Sequence, residues 1–156
     1  MFWRTVKTLM FTVFVPGTVG LYLPQSLKNG GNKLRFCLPW LGIALFVGGA
    51  AIYFWCAWDF VSKGFGTPAP LDAPKVLVVK GLYRFTRNPM YLGVFGAIEG
   101  QALYYGSKHI AVYGWIMLMI AYLFVVLYEE PHLRRVFGAQ YEEYTDRVPR
   151  WLLRIG

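Results

Sequence analysis

Continuous apolar runs dominate this sequence and limit the folds that it can adopt. The two longest are roughly Phe36–Val61 and Ile110–Tyr128, and two shorter ones are roughly Leu9–Leu23 and Leu92–Tyr105. A helix needs about 20 residues, with a range of about 17–25, to cross the hydrocarbon core of a bilayer. The long runs meet this length, and the short ones need tilting or help from flanking residues. The pattern predicts an all-α, polytopic membrane protein, a bundle of about four transmembrane helices.

Composition agrees with a membrane protein and argues against nucleic-acid binding and metal binding. The chain has 156 residues, of which 56% are hydrophobic and 15% charged, whereas about a quarter of the residues in soluble domains are charged. Its length predicts a single domain over residues 1–156. The net charge of +8 comes from basic residues that flank the apolar runs. These residues do not form a soluble basic face, so we expect no nucleic-acid partner. The two histidines are isolated, so we expect no metal.

The basic residues predict how the chain is oriented. If four helices span, all but four of the sixteen Lys and Arg residues fall on one side of the bilayer. The exceptions are Lys28, Lys33, Arg35 and Lys108. Because positive charge accumulates on the cytoplasmic side, both termini and the loop between the second and third runs are predicted to be cytoplasmic. A cleaved signal peptide is the alternative for the first run, but no small-residue cleavage site follows it, and Pro16-Gly17 suits a helix kink.

The residues after the fourth run have the pattern of an amphipathic helix. Apolar side chains recur at spacings of four, four, three and four, at Leu133, Phe137, Tyr141, Tyr144 and Val148. Pro131 suits a first helical turn and Pro149 suits an end. We therefore predict one separate C-terminal helix that lies on the cytoplasmic surface.

The third run contains two further features. Gly93, Gly96 and Gly100 share one helix face, and small residues of this kind allow membrane helices to pack closely. Glu99 is a carboxylate within an apolar run. A charged side chain in the hydrocarbon core has a high free-energy cost. Glu99 is therefore expected either near the headgroups on the far side or in a functional position.

Two polar clusters adjoin the last two apolar runs. We call residues 81–93 the first polar cluster and residues 128–138 the second. Their carboxylates (Glu129, Glu130) can accept hydrogen bonds from hydroxyl or amino groups, and their tyrosine rings can attract an organic cation by about 0.5–2 kcal/mol. A cofactor with a sulfonium, a ribose and an adenine would suit these groups. The same residue types also serve simply to anchor helix ends, and the residues alone leave both interpretations open.

Several segments of the sequence together resemble a known family. They are Gly66–Lys75, Leu77–Arg84, Arg87–Gly93, Glu129–Tyr144 and Arg147–Trp151. In order and spacing they resemble the isoprenylcysteine carboxyl methyltransferase family over residues 64–154. Related phospholipid N-methyltransferases share the broad pattern.

This resemblance implies an S-adenosyl-L-methionine-dependent methyltransferase that releases S-adenosyl-L-homocysteine. The methyl group would pass to an amphiphilic or lipid-like acceptor, by carboxyl O-methylation or amine N-methylation. Carried over by position, the cofactor contacts are Lys75, Val76, Leu77, Val78, Tyr83, Asn88, Pro89, Met90, Tyr91 and Glu129. Arg87 is the predicted catalytic residue, because its planar fork can orient an anionic acceptor or the cofactor carboxylate.

Two positions depart from the family pattern. Asn88 stands where the eukaryotic members have histidine, so proton transfer should not depend on this residue. Val125 stands where those enzymes have an arginine for the prenylcysteine carboxylate, which argues against that acceptor. The alternative function is a small, non-enzymatic membrane subunit that binds lipid or a partner through its basic tail.

Overall fold

The computed structural model describes residues 16–28, 38–62, 77 and 79–151, and the regular elements within them are helical. The α-helices are α1 Leu23–Leu27, α2 Pro39–Ser62, α3 Pro89–Tyr105, α4 Lys108–Phe124, α5 Glu130–Phe137 and α6 Ala139–Arg147. The all-α prediction is confirmed for this part of the chain. Lys75, Val76 and Val78 lie outside the described residues, as do residues 9–15 of the first apolar run.

Two of the described helices are long and apolar enough to cross a membrane. They are Pro39–Asp59 in α2 and a continuous helix over Lys108–Phe137, which confirms that the second and fourth apolar runs form helices of spanning length. Large apolar side chains of α2 point outward, and Trp40 is 83% exposed, as expected for a surface that faces lipid. With 17 residues, α3 is about 25 Å long at 1.5 Å per residue, close to the shortest length that spans.

Glycines bring α2 and α3 into backbone contact. A Cβ atom added at Gly100 would lie 2.5 Å from the backbone nitrogen of Phe46, and one added at Gly93 would lie 2.8 Å from the carbonyl oxygen of Gly49. No side chain fits at either position. The predicted packing role of this glycine face is therefore confirmed.

A tight turn joins α3 to α4. Gly106 ends α3 in the left-handed region at φ 63°, where a residue without Cβ is favoured. The Ser107 hydroxyl then accepts a hydrogen bond from the Ile110 N–H at 3.4 Å and caps α4. Because the helices run in opposite directions, the start of α3 and the end of α4 lie at the same end of the hairpin. This geometry brings the two polar clusters together.

The chain continues from α4 into α5 without a break, which corrects the prediction of a separate C-terminal helix. A π-helical turn, Val125–Glu129, links the two helices, and the Glu130 N–H bonds to the Val125 carbonyl. Proline has no N–H and clashes with the carbonyl four residues earlier, so Pro131 is accommodated by widening the preceding turn. The same arrangement recurs before Pro24, where Thr18–Tyr22 is π-helical.

The tail consists of two helices, so the prediction of a single one was wrong. Gly138, at φ 51° and ψ −127°, separates α5 from α6, because this backbone conformation belongs to no helix. The predicted apolar stripe is confirmed. Tyr141, Tyr144 and Val148 are buried together, and Leu77, Leu133 and Phe137 pack against them.

Candidate functional site

A cavity of about 330 Å³ lies between α3 and α4 and reaches both polar clusters. Its polar lining at the two clusters consists of Tyr83, Arg87, Asn88, Tyr91 and Glu129. Apolar side chains of α3 and α4 form most of the rest, among them Val94, Phe95, Met117, Leu118 and Phe124, and Pro16, Val19 and Tyr53 also contribute. The cavity therefore has a charged end and a hydrocarbon-like end.

The structure brings together most of the predicted site residues that it describes. Besides the five polar residues, Met90 also lines the cavity. Pro89 is fully buried as the first residue of α3, and Leu77 packs against the tail instead of the cavity. Within the described ranges, no group of three or more His, Cys, Asp and Glu side chains could hold a metal ion.

The two adjacent carboxylates have different surroundings. Glu129 accepts a hydrogen bond on Oε2 from the Tyr91 hydroxyl at 3.1 Å. Glu130 is 6% exposed and accepts from Arg87 Nη1 at 3.0 Å, from Arg150 Nε at 2.6 Å and from Arg150 Nη2 at 2.9 Å. Among the described ion pairs, those of this region all involve Glu130 and none involves Glu129.

The last described residues hold the start of α3 in place. The carbonyl of Arg150 accepts hydrogen bonds from Thr86 Oγ1 and from Asn88 Nδ2, both at 3.1 Å. The Arg87 N–H donates to the Pro149 carbonyl at 3.0 Å. Asn88 thus lines the cavity while its amide nitrogen serves a structural bond. Sequence reasoning did not find this role of Thr86 and Arg150, although Arg150 lies in one of the segments that carry the family resemblance.

Aromatic side chains support Tyr83 and Tyr91, the two tyrosines of the first polar cluster that line the cavity. The Tyr144 hydroxyl donates to the Tyr83 carbonyl at 2.6 Å, and Trp151 packs against both Tyr91 and Tyr122, with ring centroids 6.4 and 6.2 Å apart. Burial raises the pKa of Tyr83 well above its usual value, and burial likewise raises the pKa of Tyr144. Both phenols are therefore neutral at physiological pH. The hydrogen bonds to Glu130 raise the pKa of Arg150, which stays charged.

Glu99 lies beside the apolar part of the cavity. Its Oε1 is buried against Gly114, a residue that lines the cavity, and has no hydrogen-bond partner among the residues the structure describes. The carboxylate therefore packs inside the helix bundle, next to α4.

The fold and the cavity define a helical membrane protein with a site that has a charged end and an apolar end. A family model for phospholipid methyltransferases matches residues 38–140. The chain belongs to this family, and the family and the apolar helices together indicate an integral membrane protein.

Two relatives support the assignment. A phosphatidylethanolamine N-methyltransferase of Laccaria bicolor is 26% identical over 148 residues, which cover 87% of this chain and 15% of the relative. The protein-S-isoprenylcysteine O-methyltransferase B of Arabidopsis thaliana is 32% identical over 73 residues, which cover 47% of this chain and 37% of the relative. The alignments thus cover well under half of each relative. The resemblance seen in the sequence is confirmed, since these relatives are both methyltransferases.

Proposed function

We propose that this protein is an S-adenosyl-L-methionine-dependent methyltransferase, with the cofactor at the charged end of the cavity and a lipid acceptor at the apolar end. The observation that carries the proposal is the position of Glu129. This carboxylate lines the cavity beside Tyr83 and Tyr91, and among the described residues it has a neutral hydrogen-bond donor but no ion pair. It therefore retains acceptor capacity for a ligand.

The residues present fit the cofactor. The cavity volume of about 330 Å³ falls within the range of roughly 300–1,000 Å³ for small-molecule sites. Glu129 supplies acceptors for ribose hydroxyls or an amino group, and the tyrosine rings can attract a sulfonium. The Arg87 Nε is buried without a hydrogen-bond acceptor among the described residues. That donor suits the cofactor carboxylate, which supports the predicted role of Arg87.

The protein contributes to methyl transfer mainly by positioning. When bound, the cofactor supplies an electrophilic methyl group on a sulfonium. Tyr91 holds the Glu129 carboxylate in place, and the apolar walls from α3 and α4 exclude water from the reacting groups. Alignment of nucleophile, methyl and sulfur in a dry site provides a large part of the rate enhancement of such displacements.

The charges around the cavity favour an amine acceptor over a carboxylate. Glu130 pairs with both Arg87 and Arg150, so these three groups and Glu129 together carry no net charge. The carboxylate that lines the cavity itself is Glu129, which would repel an acceptor carboxylate but not an amine. With the cofactor bound, a neutral primary or secondary amine would supply the lone pair for the new N–C bond. The electrons of the broken S–C bond would stay on sulfur, and the amine would lose one proton.

The membrane orientation is part of the proposal. The α3–α4 hairpin places both polar clusters at one end, and the positive-inside pattern assigns that end to the cytoplasm. With four spanning helices, the C-terminal helices also lie there. The cofactor then enters from the cytoplasm, and the lipid enters laterally from the bilayer.

Calorimetry of the detergent-solubilised protein with S-adenosyl-L-homocysteine tests cofactor binding. We expect saturable binding. A folded protein without affinity at millimolar ligand would contradict the proposal and favour the non-enzymatic membrane subunit.

Transfer of a radiolabelled methyl group tests the acceptor. Vesicles that contain an aminophospholipid should become labelled, and vesicles of the same acyl composition without a primary or secondary amine should not. Equal labelling of both would refute the amine assignment but retain the methyltransferase.

A further inference from the structure

Arg150 contributes a guanidinium that the proposed mechanism does not use. It donates to both oxygens of Glu130, from Nε at 2.6 Å and from Nη2 at 2.9 Å. This two-point geometry is the strong form of an arginine–carboxylate pair. Arg150 thus holds the carboxylate next in sequence to the one assigned to the cofactor.

We propose that Arg150 is a positioning residue, which holds Glu130 where it binds Arg87 and so keeps Glu129 available to the cofactor. This inference rests on the proposed function, because it assigns Glu129 a ligand. It adds a residue near the C-terminal end of the described chain to the machinery of the site.

The proposed role of Arg150 depends on which carboxylate pairs with Arg87. It lines the same cavity as Glu129, and its Nη1 is 3.0 Å from Glu130 Oε1. Its side chain is only 12% exposed, so little water is available to stabilise the charge and a carboxylate partner is required. If Glu130 moved away, the carboxylate that lines the same cavity as Arg87 would be Glu129. An Arg87–Glu129 pair would occupy the acceptor positions that the cofactor needs.

Glu130 alone is poorly placed to hold Arg87. The Glu130 side chain is 7% exposed, and Arg87 supplies a single hydrogen bond to one of its oxygens. Arg150 satisfies the second oxygen and adds a second positive charge. A buried carboxylate needs this number of donors to remain ionised and fixed.

The position of Arg150 is fixed by the segment that carries Arg87. The Arg150 carbonyl accepts hydrogen bonds from Thr86 and Asn88, the two neighbours of Arg87 in sequence. The contacts therefore form a closed ring from Arg87 to Glu130, to Arg150 and back to the turn before α3. Such a ring sets the relative position of α3 and α5 at the charged end of the cavity.

The experiment is a double-mutant cycle on cofactor affinity. S-adenosyl-L-homocysteine binding is measured by calorimetry for the wild type, Arg150→Leu, Glu130→Gln and the double variant. We expect each single variant to bind about threefold to tenfold more weakly, the size of a coupling within one polar network. The double variant should bind as Glu130→Gln does, within about twofold, because Arg150 acts through Glu130.

Two further variants separate positioning from general stability. Arg150→Lys keeps the charge but not the two-point geometry, so its affinity should lie between those of the wild type and Arg150→Leu. Arg147→Leu is the matched control, since Arg147 is in the same segment and pairs with the exposed Glu143. Its affinity should equal that of the wild type. If Arg150→Leu does not fold, Arg150→Lys takes its place in the cycle.

Each outcome decides between the proposals. Wild-type binding with unchanged affinity in Arg150→Leu overturns the positioning role and leaves the proposed function intact. Losses that add in the double variant overturn it as well, because Arg150 would then act independently of Glu130. Absence of binding by the wild type overturns the proposed function, and the positioning role with it.

Discussion

Replacement of Glu129 by alanine should weaken cofactor binding more than any other single carboxylate change in this region. The Tyr91 hydroxyl uses Oε2 of Glu129, so Oε1 and the remaining lone pairs are available to a ligand. A hydrogen bond to a charged group contributes about 1.5–3 kcal/mol. One such bond to the cofactor therefore corresponds to an affinity loss of about tenfold to 150-fold in Glu129→Ala.

The assay is calorimetric titration with S-adenosyl-L-homocysteine in detergent, with Glu142→Ala as a control for an exposed carboxylate. Tyr91→Phe removes only the bond that orients Glu129, so its loss should be smaller, about twofold to tenfold. Glu130→Ala should also lose less affinity than Glu129→Ala. Equal losses at the two glutamates, or a larger loss at Glu130, would refute the division of roles between them.

Three further predictions concern stability and topology. Glu130→Ala should lower the free energy of unfolding by up to about 3–5 kcal/mol, since it leaves two arginines without their carboxylate; chemical denaturation in detergent measures this, and an unchanged midpoint would count against it. Gly100→Ala should destabilise the helix pair because its Cβ would lie 2.5 Å from backbone, whereas Gly48→Ala, with nothing within 4 Å, should not; a thermal shift compares them, and equal midpoints would disprove the close packing. In a cysteine-free background, single cysteines at the exposed Arg84 and Lys108 should label from the cytoplasmic and the opposite side of the membrane, respectively, and labelling of both from one side would exclude a spanning α3.

The helices and the meeting of the polar clusters could be predicted because they follow from local patterns. The apolar run lengths determine which segments are helices, and Gly106 with Ser107 marks the turn that reverses the chain. Once α3 and α4 are antiparallel, residues 81–93 and 128–138 have to share one end. The glycine face of α3 can be predicted for the same reason, because the spacing of the glycines alone places them on one side of the helix.

The features that sequence reasoning missed depend on distant contacts or on competition within the backbone. The amphipathic period runs through Gly138 without interruption, so it cannot show that the glycine adopts φ 51° and divides the tail. Pro131 is compatible both with the start of a helix and with a position after a π turn inside a helix. Packing against the rest of the chain determines which of the two forms. The partners of Arg150 are 20 and more residues away in sequence, beyond the reach of any spacing argument.

The different surroundings of Glu129 and Glu130 show how these levels combine. Successive residues of a helix point about 100° apart, so two adjacent carboxylates cannot both face one cavity. The spacing therefore predicts that they differ, and the family resemblance assigns Glu129 to the cofactor, but neither says which arginines pair with Glu130. The contacts of Arg150 answer this question. Its carbonyl accepts hydrogen bonds from Thr86 and Asn88, and its guanidinium donates to Glu130. The π turn ends at Glu129, and π turns within helices often occur at functional sites. We expect that moving Pro131 by one residue would shift that turn and rotate the two carboxylates relative to the cavity, and so would change which of them lines it.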